Sequence, residues 1–164
     1  MYAVGGKGQN RCVNGLSHQV LRASAVLYAG AGCLGSYAAI RDDIAGEPLG
    51  IRLQLSVPEG IAAGWGAGVA APWPMPVAAV LAAWLPADRR RGARPALVCA
   101  ALGIGCLVGT LVEPVTYRSR TWSRTTRAAL IANVVSSGAL AAAGGWRAQV
   151  LRNESRAERR REST

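Results

Sequence analysis

Four stretches of this chain carry no charged residue: 23–40, 60–87, 95–112 and 128–146. Nothing else in the sequence constrains the fold as strongly. A helix at a protein–water boundary needs a polar face, and these stretches have none. A run of roughly 20 apolar residues is long enough to cross a hydrocarbon core about 30 Å thick. Lipid offers backbone amides no partners, so such runs must satisfy themselves as helices. The expected fold class is therefore all-α: an integral membrane bundle of about four transmembrane helices, at about 20–40, 60–86, 96–112 and 128–145. A polar N-terminal tail, 1–18, and a basic C-terminal tail, 147–164, flank the membrane domain of 19–146.

Composition agrees. Of 164 residues 51% are hydrophobic and 17% charged, against about a quarter charged in an ordinary soluble domain. The length suits one domain. Phe is absent, while Ala, Gly, Val and Arg abound, a bias that a GC-rich bacterial genome would produce. The net charge of +10 invites a nucleic-acid reading. The arginines, however, sit at the ends of apolar segments, as membrane orientation requires, and no specific nucleic acid is expected. The first span is long for the apolar part of a signal peptide, about 7–15 residues, so a retained span is the expected reading and a cleaved signal peptide the competing one.

The second span is the least regular, because Pro72, Pro74 and Pro76 alternate within it. Each proline lacks an amide hydrogen and clashes with the preceding turn, so a continuous helix is excluded. Two arrangements remain: a crossing broken by the prolines, which is the expected one, or a re-entrant piece followed by a shorter helix that Pro76 opens. Before it, Ile51, Leu53, Leu55 and Val57 alternate with polar residues, a period suggesting a short extended segment.

Cationic residues fix the orientation. The N-terminal segment through Arg22, the 87–94 loop and the C-terminal tail together hold 13 of the 19 Lys and Arg residues. Both termini are therefore expected in the cytoplasm, with the chain in the cell membrane. Trp84, Trp122 and Trp146 lie at span ends, where interfacial belts form.

Small residues recur every fourth position. Gly60, Gly64 and Gly68 do so in the second span, and Ala101, Gly105 and Gly109 in the third. Such spacing puts small side chains on one helix face and lets backbones approach. It serves packing within the chain or self-association into a homo-oligomer. Ser137, Ala141 and Gly145 repeat it in the fourth span.

The candidate polar site gathers where the third and fourth spans meet. Glu113 ends the third span directly before Pro114. A carboxylate there needs a partner or water, and Arg118 and Arg127 are candidate partners. Asn133 and Ser137, one turn apart on the fourth span, face a common side and suit interhelical hydrogen bonds, with Thr110 as a candidate partner. The 118–127 arginines also suit anionic lipid headgroups. No catalytic set emerges. His18, the sole histidine, lies outside the spans. Cys12, Cys33, Cys99 and Cys106 form no metal-ligand spacing, and no nucleotide loop or hydrolase motif occurs. No cofactor or metal is expected. Small multidrug transporters share the span number but carry a glutamate in the first span, where this chain has none. The leading expectation is a non-catalytic scaffold or accessory subunit. The alternatives are a small transporter or channel subunit with a polar cavity near Glu113 and Asn133, and a membrane enzyme acting on a lipid-soluble substrate.

Overall fold

The computed structural model describes residues 6–46, 55–63, 69–85, 93–114, 116–117 and 122–163, with only the backbone for 6–11 and 161–162. These residues form helices α1 (Gly6–Arg41), α2 (Val57–Ala62), α3 (Pro74–Trp84), α4 (Arg94–Val112) and α5 (Arg124–Glu162). No strand occurs among the described residues. Three helices hold segments long and apolar enough to cross a membrane: Cys12–Arg41, Arg94–Val112 and Arg124–Arg160. α3 is apolar but shorter.

The helix ends follow local chemistry. Pro95 stands in the first turn of α4, and Pro74 and Pro76 in that of α3, where a missing amide hydrogen costs nothing. The proline run thus begins a helix. Ser123 caps α5 by accepting the Thr126 amide at 3.2 Å. α1 ends on Asp43 in the left-handed region, with φ 50°. The Ile44 amide reaches back to the Ala39 carbonyl at 2.9 Å, and buried Ile44 packs on Ala38 and Ala39. Together these make a Schellman stop. Val57 opens α2, so the alternating run ends in a helix rather than continuing as a strand; its residues 51–54 lie outside the described residues.

The segment 1–18, expected as a tail, is helical from Gly6. The tail 147–164 continues α5 to Glu162. The cause is tertiary contact. Ser17 is fully buried and continues the three- and four-residue spacing of buried Leu21, Ala25 and Tyr28. Arg147 continues the equivalent series on α5 after Leu140, Ala143 and Gly144. With 36 residues, α1 extends about 54 Å at 1.5 Å per residue, well beyond a hydrocarbon core.

Neighbouring helices run antiparallel. Ser17 of α1 meets Arg147 of α5 at one end, and Asp42 meets Ser123 at the other. Along α4 and α5, Gly103 lies against Ser137 and Ala141, and Gly144 against Ala96 and Ala100. A Cβ on Gly103 would stand 2.6 Å from the Ser137 carbonyl oxygen. Gly35 approaches Val69 and Ala70 as closely: a Cβ on it would stand 2.5 Å from the Val69 carbonyl oxygen.

The glycines named from the four-residue repeats fall elsewhere. Gly105 and Gly109 are exposed. A Cβ would meet only Met75 Cε at 3.9 Å from Gly105, and nothing within 4 Å from Gly109. The face packed on α5 is that of Gly103, roughly 200° around the helix from Gly105. Gly145 is likewise open, and its neighbour Gly144 makes the close approach. Gly60 is half-buried in α2, and Gly64 and Gly68 lie outside the described residues.

Candidate functional site

The residues expected to form a polar site are distributed rather than gathered. Glu113 follows the last turn of α4 with extended backbone and is half-buried. A short turn follows it and folds back on the helix. Thr116 Oγ1 donates to the Thr110 carbonyl at 2.8 Å, and Tyr117 Oη to the Leu111 carbonyl at 2.7 Å. These side chains serve carbonyls that a helix C-terminus leaves unpaired. Arg127 is exposed in the first turns of α5. Arg118 lies outside the described residues.

Asn133 and Ser137 turn inward, with exposures of 2% and 0%. Asn133 Nδ2 donates to Thr110 Oγ1 at 3.3 Å and lies 3.6 Å from Cys106 Sγ. Tyr28 is buried in the same core as Cys106. This mid-bundle cluster ties α4 to α5 through Asn133 and Thr110, while Ser137 Oγ and Tyr28 Oη are buried without hydrogen-bond partners among the described residues.

The chemically distinctive groups lie at the two ends of the α1–α5 pair. At one end Asp42 accepts from Ser123 Oγ at 2.5 Å, from Thr126 Oγ1, and from Arg41 Nε at 3.0 Å. Arg41 also donates to Ser123 Oγ at 2.9 Å and Thr125 Oγ1 at 3.2 Å. The carboxylate thus caps the α5 N-terminus, where the helix dipole favours negative charge. The Ser123 and Thr126 hydroxyls, and then Arg41, hold the Asp42 carboxyl down at about 2.

At the other end Arg147 is only 4% exposed. Its Nη1 donates to the Asn14 carbonyl at 3.0 Å, to Ser17 Oγ at 3.1 Å, and to the Asn14 side-chain oxygen. These acceptors are neutral. The acid Glu154 is one step removed, accepting from Asn14 Nδ2 at 3.1 Å. His18 and Arg147 line a small cleft of about 20 Å³ with Leu21, Ala82 and Ala83. His18 Nε2 and Arg22 Nε are buried without hydrogen-bond partners among the described residues. The Arg22 guanidinium stands 5.2 Å from the Trp84 ring centroid, within cation–π range. This corner concentrates positive charge beside apolar surface. Among the described residues no group of three His, Cys, Asp or Glu side chains is placed to hold a metal.

Asn14, Ser17, Arg147 and Asp42 were not singled out by sequence reasoning. A usable signal existed for three of them: they extend the spacing of buried positions beyond the charge-free stretches. Comparisons with protein-family models, curated proteins and solved structures find no match.

Proposed function

We propose that this chain is a four-crossing protein of the cell membrane, with both termini in the cytoplasm, acting without catalysis as a scaffold or accessory subunit. The fourth crossing is composite. α2 belongs to the cluster of Ala38, Ala39 and Ile44, Val69 and Ala70 pack at Gly35, and Trp84 reaches Arg22. The described residues 57–63 and 69–84 therefore lie along α1 from one end of its apolar part to the other. The non-helical stretch Val69–Ala71 is buried in protein, the condition under which irregular backbone is tolerated at membrane depth.

One observation carries the scaffold reading. α4 has two small-residue faces. Ala96, Ala100 and Gly103 are used against α5, while Ala101, Gly105 and Gly109 are exposed. The second face is suited to a partner helix at close approach, and its expected occupant is a second copy of this chain. Meanwhile Asn133 is 2% exposed and bonded to Thr110, so it is turned to its neighbouring helix.

Cysteine labelling tests the placement. Cys12, and a cysteine replacing Arg90, should react with an impermeant maleimide only from the cytoplasmic side, and one replacing Ser56 only from outside. External labelling at position 90 rejects the topology. Gly105→Leu with Gly109→Leu should abolish cross-linked dimers in native membranes without lowering the melting midpoint. Dimers that persist in this variant reject the face.

A further inference from the structure

An open apolar groove of about 540 Å³ runs between α1 and α3. Ala29, Cys33 and Ser36 line it from α1, Val77 and Leu81 from α3, and Trp73 from the position just before α3. Cys33, Trp73, Val77 and Leu81 are exposed, so in a bilayer the groove opens sideways to lipid.

Arg22 lies in line with it. At 100° per residue, positions 22, 29, 33 and 36 fall within about 60° of one another. Trp84 stands likewise in line with Trp73 and Val77 on α3. The two helices meet where the Arg22 guanidinium lies 5.2 Å from the Trp84 centroid. Arg22 Nε is buried there with no hydrogen-bond partner among the described residues, and the His18–Arg147 cleft adjoins it through Leu21, Ala82 and Ala83. Arg22 immediately precedes the charge-free stretch 23–40, which places it at headgroup level. An apolar trough at hydrocarbon depth thus lies in line with a cationic corner at the interface, about two helical turns away along α1.

We propose that this groove holds one anionic phospholipid of the leaflet facing the termini. Its phosphate sits against the Arg22 guanidinium, and an acyl chain lies along Ala29, Cys33 and Val77. Charge complementarity selects the headgroup, since a guanidinium matches phosphate oxygens with paired donors. Length selects the chain. Ala29 is about 10 Å and Cys33 about 16 Å along the helix from Arg22, and one leaflet of hydrocarbon is about 15 Å deep.

The inference rests on the membrane placement proposed above. Native mass spectrometry tests it, on protein released from nanodiscs of equal phosphatidylglycerol and phosphatidylcholine. The one-lipid adduct should favour phosphatidylglycerol by about fivefold, the effect of one arginine on an anionic lipid. Arg22→Gln should remove that preference, and Arg22→Lys, which keeps the charge but not the paired donors, should keep part of it. Cys33→Trp, which fills the groove, should diminish adducts of both lipids. Equal adducts in protein that nanodiscs retain overturn the site alone, as does an unchanged preference in Arg22→Gln. Loss of the preference in excess inorganic phosphate assigns the corner to a free anion and overturns the lipid. Failure to enter nanodiscs overturns the placement and the site with it.

Discussion

Gly144 brings α5 against α4 so closely that a Cβ built on it would stand 2.6 Å from both the Ala96 carbonyl oxygen and the Ala100 amide nitrogen. Both neighbours are backbone atoms, so no side chain can rotate away. Gly144→Ala must therefore move one helix, and overpacking of this kind costs roughly 1–3 kcal/mol. Gly109→Ala meets nothing within 4 Å and gains helix propensity, up to about 1 kcal/mol. In detergent, thermal unfolding should show Gly144→Ala melting well below the parent and Gly109→Ala at or slightly above it. Equal midpoints for the two variants would mean that α4 and α5 do not pack on this face.

Asp42 gives the fold a pH dependence at one end. Its carboxyl is held at about 2 by the Ser123 and Thr126 hydroxyls and Arg41, against about 3.9 for a free aspartate. The depressed value means the folded state favours the charged form. The contribution is complete above pH 4 and is lost as pH falls toward 2. Amide exchange at the start of α5 should accelerate over that window. Asp42→Asn should already exchange fast at neutral pH and show no further acid step. An acid step of full size in Asp42→Asn would assign it to another group.

Arg147 makes the opposite end depend on a buried cation. Removing it leaves the Asn14 carbonyl, the Asn14 side-chain oxygen and Ser17 Oγ without their donor. An unsatisfied buried acceptor costs about 1–3 kcal/mol. Arg147→Met should lower the melting midpoint and speed amide exchange in the α1 segment around residues 12–18. Arg152→Met, at an exposed position, should change neither. Equal amide exchange over residues 12–18 in the two variants would show that α1 is not held by Arg147.

Helix content and the apolar spans were legible in the sequence because lipid requires uninterrupted apolar residues, and a charge-free stretch reports that directly. The lengths of α1 and α5 were not. Asn14, Ser17 and Arg147 are polar, and polarity alone reads as exposure. Their burial depends on a partner helix presenting a complementary group at the same level. The packing glycines were half legible: four-residue repeats locate small faces, yet α4 carries two, around Gly103 and Gly105. Only the neighbouring helix decides which one is buried. Glu113 drew attention as an acid at a span end, whereas Asp42, in a polar loop, did not. The Schellman stop at Asp43 is what aims Asp42 at Ser123.

The Asn133–Thr110 contact separates internal glue from a lined path. Asn133 is 2% exposed and donates to Thr110 Oγ1 at 3.3 Å. Interhelical hydrogen bonds in membranes average about 0.6 kcal/mol and rarely exceed about 1.7. Thr110→Val keeps the shape of the side chain and removes the hydroxyl, so it should cost an amount in that range, less than Gly144→Ala. In the same packed arrangement, a cysteine replacing Asn133 should stay unreactive to a hydrophilic maleimide until the protein is unfolded. Both results belong together, because a residue held by its neighbour and sealed from water shows a small energetic effect and no labelling. Rapid labelling at position 133 in folded protein would mean that water reaches the α4–α5 interface, and the transporter alternative would then displace the scaffold reading.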